Sequence, residues 1–335
     1  MKDKIILLSH GSGASLMHAL IENVLLPRFD NPILKELADA ATLDLKGKIA
    51  FTTDSFVVSP LFFPGADIGK LAVCGTVNDL VMAGAAPEYL SLGLIIEEGL
   101  EMSVLEKICD SIALSARLAK VKIVTGDFKV VEKGACDKIF INTSGVGRII
   151  SKKPLSIKSI QTGDKVIITG EIAQHGLAVL AKRKNLDLKL DIKSDCQELG
   201  GLLLSIIEKY DAVRFMRDPT RGGLATTLNE ITRASKKGII INERDIPVSS
   251  RVSTACELLG IDPLYVANEG KAVIVVKSKD ANKVLAMLKK HPFGKKAAII
   301  GEVSDDFKSK VILNTSIGTQ RLVDMLSGEQ LPRIC

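Results

Sequence analysis

Apolar positions recur along this chain in two periods, and the switches between them lay out its elements. From Ile68, the residues Ile68, Leu71, Ala72, Val77, Leu80 and Val81 fall at helical spacing; Met102, Leu105, Ile108, Cys109, Ile112 and Ala116 form a second stripe in a helix expected over 102–119. Short apolar runs predict strands at 49–58, 89–96, 123–127 and 138–143, the third ending on Asp127 and the fourth leading to Gly145-Val146-Gly147. An earlier helix, 16–26, follows the glycine turn Ser9 to Ser15. The stretch 150–163 has weak period and reads as a linker. The pattern then resumes with strands at 166–169, 213–215, 239–241, 272–276 and 298–303 and helices at 174–184, 197–209, 225–234, 250–259 and 281–290. Strands and helices intermix in both halves, two strands being adjacent around Lys133, so a mixed α/β (α+β) fold is expected.

A length of 335 residues exceeds one comfortable core. The division expected is a glycine-bearing segment over 1–45, a domain over 46–150, a linker over 151–163, a domain over 164–325 and a tail over 326–335. Hydrophobic content of 46% with 25% charged residues indicates a soluble globular chain. No apolar run is long enough to span a membrane and Ile5–Leu8 is too short for a signal-peptide core, so a cytoplasmic protein with no membrane partner is expected. The net charge of +6 comes from scattered lysine doublets, and with no Trp and three Tyr there is little to stack on bases; nucleic acid is not an expected partner. Six cysteines lie too far apart for a redox or zinc motif, and five read as small core hydrophobes.

The sixth is Cys335, on which the chain closes after Pro332, Arg333 and Ile334. A ring that stiffens the approach, a fixed cation, a small apolar anchor and a soft nucleophile suit a tether that swings between two sites; a frayed end is the alternative. Thr76, Asn78 and Asp79 are polar groups awkward for a packed helix unless they have a task. There is no P-loop, and Gly145-x-Gly147 lacks the third glycine of a dinucleotide fingerprint. What remains is a set of aspartates at strand ends and glycine turns, Asp54, Asp67, Asp79, Asp127 and Asp218. Mg²⁺ takes a few carboxylates beside phosphate oxygens, and glycine turns let backbone approach a triphosphate, so Mg-ATP is one coherent reading. Helix capping and turn formation are the other.

Taken together, Ser9-His10-Gly11-Ser12-Gly13, Thr53-Asp54-Ser55, Val73-Cys74-Gly75-Thr76-Val77-Asn78-Asp79, Thr125-Gly126-Asp127, Arg217-Asp218-Pro219-Thr220-Arg221-Gly222-Gly223, Ala267-Asn268-Glu269-Gly270-Lys271 and the closing Pro332-Arg333-Ile334-Cys335 resemble the HypE family. These are carbamoyl dehydratases of nickel-iron hydrogenase maturation, in the superfamily of aminoimidazole ribonucleotide and selenophosphate synthetases. The resemblance implies a two-domain PurM-like fold whose N-terminal domain pairs with a second copy into a β-barrel, giving a homodimer. It implies that a carbamoyl group loaded on Cys335 by the carbamoyltransferase HypF is dehydrated with ATP to a thiocyanate, the cyanide passing to a HypC–HypD complex. By motif position, Asp54, Asp79 and Asp218 would handle Mg²⁺ and phosphates, with Asp67, Asp127 and Lys129 assisting. Gly11, Ser12, Gly13, Thr76 and Asn78 would line the nucleotide. Lys133 and Glu269 would contact the carbamoyl group, Glu269 as proton acceptor unless it is only a turn residue paired with Lys271.

Two departures bear on the nucleotide. Ala14 stands where the family usually has Gly, and Phe128 where it usually has Thr, removing a hydroxyl expected near the phosphates. The competing readings are a sister ATP-using synthetase, disfavoured by the tail Cys335 and, for the selenophosphate kind, because its reactive cysteine belongs near the first glycine turn where this chain has only serines, and a non-catalytic maturation scaffold.

Overall fold

The computed structural model describes residues 4–12, 15–184, 191–326, 328, 331 and 333–335. Gly13, Ala14 and Pro332, each given a role from the sequence, lie outside the described residues.

The first half is built on a four-stranded sheet. Strands β1 (Ile49–Phe56), β2 (Ala85–Glu97), β3 (Lys122–Val131) and β4 (Ile139–Ile149) are ordered β1-β4-β2-β3, antiparallel except for the parallel pair β2 and β3. That parallel pair needs a crossover, supplied by helix α2 (Met102–Leu118). Helices α1 (Ile68–Met82) and α2 pack on one face of the sheet, where Leu90, Leu92, Leu94 and Ile96 point inward every second residue. Helix α1 is buried nearly all round, as its apolar content requires for a helix between the sheet and the second half. On the opposite face β1 leaves Ile49 and Phe51 at 50% and 67% exposure. The sheet is open, and no closed barrel forms within the described residues of the single chain.

The second half holds a seven-stranded sheet: β5 (Lys165–Ile168), β6 (Val213–Arg217), β7 (Gly238–Asn242), β8 (Val273–Val276), β9 (Ala298–Ser304), β10 (Val311–Asn314) and β11 (Gln320–Val323), in the order β11-β10-β7-β9-β5-β8-β6. Helices α3 (Gln174–Arg183), α4 (Gly200–Lys209), α5 (Gly223–Ser235), α6 (Ser250–Leu259) and α7 (Ala281–Lys290) cover it, and two apolar clusters lie on its two faces. β8 is buried along its whole length, which is why Val273 to Val276 reads as a continuous apolar run.

Several boundaries differ from the expected ones. The helix expected over 16–26 is an α-helix only over Ser15–Leu20 and continues as a wider π turn over Ile21–Leu25. β3 does not stop on Asp127 but runs on to Val131, because Phe128 and Val130 still pack inward beyond the carboxylate. The helix expected from 197 begins at Gly200, and β10 and β11 carried too little apolar period to be foreseen.

Candidate active site

The two halves meet at a polar cavity of about 360 Å³, lined by Asp54, Phe56, Gly75, Asp79, Arg217, Asp218, Thr220, Arg221, Thr227, Glu230, Glu269 and Cys335. β1 delivers Asp54 and α1 delivers Asp79, whose carboxylate accepts from Thr52 Oγ1 at 2.9 Å. Gly75, one helical turn before Asp79, lies against β1: a Cβ there would stand 2.8 Å from the Phe56 ring and 3.5 Å from an Asp54 oxygen. Asp218 comes from the turn between β6 and α5, and Glu269 from the segment ahead of β8.

These carboxylates have few compensating partners. Removal from water raises Asp54, with Asp79 adding to it, and raises Asp79 itself. Desolvation first, then the charge of Asp79, pushes Asp218 up to about 7. Glu269 is 4% exposed, and its Oε1 has no hydrogen-bond partner; burial, then Asp218, Asp195 and Asp54, drive it well above the usual carboxylate range. Such a set favours either protons or a bound cation. No group of three acidic, histidine or cysteine side chains among the described residues converges closely enough to hold a metal by itself. Asp54, Asp79 and Asp218 could hold a cation only together with oxygens from phosphate or water.

Cys335 is folded into this cavity by its own chain. Its carbonyl accepts from Val57 N at 3.3 Å and that of Arg333 from Ser59 N at 3.3 Å, so the tail runs beside the segment that leaves β1. Ile334 is buried in the apolar cluster of the first half, as an anchor should be, an exposure change worth about 2 kcal/mol. Arg333 adopts φ +52°, reaches Val57 O at 3.0 Å and pairs with Asp137 at 2.9 Å. Arg183 bonds both Ser59 O, at 2.7 Å, and Arg333 O. Buried His175 contacts Ile334 O at 2.6 Å through Nε2 and Ser194 Oγ at 2.8 Å through Nδ1. Burial holds its imidazole below the ordinary value, so the ring is neutral; since a carbonyl only accepts, Nε2 carries the proton. The Cys335 thiol is pushed up to about 12, by burial first and then by Glu269, against the pull of Arg221.

The remaining sequence candidates fall elsewhere. Asp67 is the N-cap of α1, accepting from Gly69 N at 2.8 Å and Lys70 N at 3.0 Å. Thr76 is buried against Thr143, and Asn78 ties α1 to the second half through Gln197 O at 3.0 Å and Leu199 N at 2.8 Å. They occupy other faces of the helix than Gly75 and Asp79. Asp127 and Lys129 form an exposed ion pair at 2.6 Å on β3, where a Cβ on Gly11 would stand 2.7 Å from Val130 N. Ser12 lies exposed beside that turn. Phe128 is 3% exposed and packs in the core beside an apolar cavity under the first helices. Lys133 is exposed on the turn that also carries Asp137. Glu269 is not paired with Lys271, whose ammonium lies 3.0 Å from buried Asp195. Asp195, Arg183 and Asp137 were not foreseen, having no motif around them.

The segment 37–149 matches the family model for AIR synthase related protein, N-terminal domain, and 161–314 the model for its C-terminal domain. The carbamoyl dehydratase HypE of Rhizobium leguminosarum bv. viciae is 50% identical over 330 residues, covering 98% of this chain and 94% of that protein. The chain belongs to the HypE family. Among solved structures, HypE in complex with ATP superposes with a TM-score of 0.95 at 47% identity, over 98% of this chain and 99% of that one. The HypE of a HypE–HypF complex gives a TM-score of 0.81 at 50% identity, over 92% and 100%. In this HypE-family chain the described residues include no helix long and apolar enough to cross a membrane.

Proposed function

We infer that this chain is an ATP-dependent carbamoyl dehydratase of hydrogenase maturation, converting a carbamoyl group on Cys335 into a thiocyanate. One observation carries the assignment of roles: Cys335 and Glu269, whose Oε1 has no hydrogen-bond partner, line the same cavity as Asp54, Asp79 and Asp218. Family membership and the likeness to an ATP complex support the reaction.

The chemistry follows from what must leave. The carbamoyl oxygen takes the γ-phosphoryl group of ATP as the bond to the ADP oxygen breaks, and the nitrogen gives up one proton. Loss of the second N–H proton forms the C≡N bond as the C–O bond breaks and phosphate departs. Glu269 is the proposed proton acceptor, and burial among carboxylates raises its affinity for protons. Asp54, Asp79 and Asp218 would hold Mg²⁺, which would neutralise charge on the transferring phosphoryl group. Lys133 is proposed as a second contact to the carbamoyl group. Gly11, Ser12 and Gly13, with Asp127 and Lys129, are proposed on the nucleotide side. Asp67, Thr76 and Asn78 serve it by fixing α1.

HypF is the proposed carbamoyl donor and a HypC–HypD complex the proposed cyanide acceptor; the structure of a relative bound to HypF supports the first. We further propose a cytoplasmic homodimer that pairs the exposed faces of two N-terminal sheets, around Phe51, into a barrel. The test of the reaction is the mass of the peptide ending at Cys335 after incubation with HypF and carbamoyl phosphate. A carbamoyl adduct that loses one water only when Mg-ATP is present is expected; an adduct that ATP never dehydrates overturns the reading.

A further inference from the structure

Cys335 stands between two cavities. On one side is the acidic cavity of about 360 Å³; on the other is a larger one of about 600 Å³, lined by Val57, Tyr265, Met325, Leu326, Leu331 and other residues of the tail and the α5 turn. Arg221 and Cys335 are the two residues that line both. Arg221 comes from the Arg217–Gly223 turn, is exposed, and sets its positive charge beside the Cys335 thiol, with Asp54 and Glu269 nearby. Nothing assigned so far uses it.

A group attached to sulfur can rotate about the Cβ–Sγ bond. With two open volumes beside it, the same tail could present a carbamoyl group to Glu269 or swing it into the larger cavity, where no Asp or Glu side chain lies among the described residues. We propose that Arg221 is the positioning residue of the reaction, pinning the Cys335 sulfur at the boundary so that the group it carries is directed into the acidic cavity. The planar fork fixes direction as well as distance, and a lysine at this position would supply charge without that orientation. A second consequence concerns the unloaded tail. The contact to sulfur is one of the bonds that keep the tail docked, so its loss raises the fraction of released tail. This inference rests on the dehydratase reading for its first consequence but not for its second.

The experiment compares the full chain with Arg221→Met and Arg221→Lys. Alkylation of Cys335 by iodoacetamide, followed at its own peptide, proceeds from the released tail, where Arg221 no longer touches the sulfur. Arg221→Met should speed it about tenfold, the scale of one lost charge-assisted hydrogen bond, and Arg221→Lys by less. After loading by HypF, both variants should carry the carbamoyl adduct as fully as the parent. Single-turnover dehydration with Mg-ATP should fall about 100-fold in Arg221→Met at unchanged ATP affinity, scaled by what a small misplacement of a reacting group removes. Millimolar guanidinium should restore part of that rate, which a merely structural role would not allow. Unchanged alkylation in Arg221→Met overturns the sulfur contact, and unchanged dehydration overturns the directing role. If the parent itself loads and never dehydrates, the dehydratase reading fails, and alkylation still decides the sulfur contact.

Discussion

Asp195 and Glu269 are both buried, close in space, and opposite in character. Asp195 accepts from the backbone N–H groups of Glu269 and Gly270 at 3.2 Å each and pairs with Lys271 at 3.0 Å. Burial works to raise it, yet the Lys271 ammonium and the backbone donor of Glu269 outweigh that and hold it below the ordinary carboxylate value. Gly270 allows the close approach: a Cβ there would overlap the Asp195 carbonyl. Glu269, one residue away, has its Oε1 unpartnered and three carboxylates around it, and stands far above the ordinary value. A buried carboxylate with a full set of donors is framework; one left without them is poised to exchange a proton.

The comparison can be broken first at the framework side. Asp195→Ala strands the Lys271 ammonium and two backbone donors in the interior, so unfolding in denaturant should show a loss of about 3–5 kcal/mol. A loss under 1 kcal/mol would show that Lys271 reaches water and that the pair holds little together.

On the other side, Glu269→Gln should leave ATP binding and folding intact while thiocyanate formation falls about 10²–10⁴-fold, the share of a general base. Unaltered turnover would remove Glu269 from the mechanism.

The third test sharpens the contrast through pH. Asp218 holds its proton up to about pH 7 in the folded chain, against 3.8 ordinarily, so folding takes up a proton between those values. In protein free of metal and nucleotide, stability should be fullest below about pH 4 as far as this group is concerned, and fall as pH rises through about 7. Asp218→Asn should flatten that fall and exceed the parent in melting temperature at pH 8; a parent that melts alike at pH 5 and pH 8 would contradict it.

Much of the fold could be read from the apolar pattern alone, because α2 and β2 are long and packed on definite faces and α1 is long and apolar nearly all round. β10 and β11 could not: each has four residues paired at the sheet margin, and β10 owes its conformation to β7 and β11 to β10 rather than to their own pattern. In the site, the aspartates with turn glycines were legible as a set, and Ile334 as an anchor. Position within that set was not. Asp67 and Asp79 sit on one helix, yet one caps backbone and the other faces the cavity, a difference made by burial and not by neighbours in sequence. Lys271 beside Glu269 suggested a local pair, whereas the ammonium turns to Asp195, 76 positions earlier. The clamp on the tail joins Arg183, His175, Asp137 and Ser59 across the whole chain, and no local signal announces a contact of that range.

The tail that carries Cys335 also changes the kinetics that can be asked of this protein. A thiol tethered and docked beside Val57 is presented at an effective concentration of order millimolar or higher, whatever the dilution of the protein. The acceptor therefore has no KM of its own: dehydration is first order in loaded chain, and an intermediate formed on the sulfur cannot diffuse away before the next bond breaks. Turnover becomes a matter of how often one short arm is exchanged.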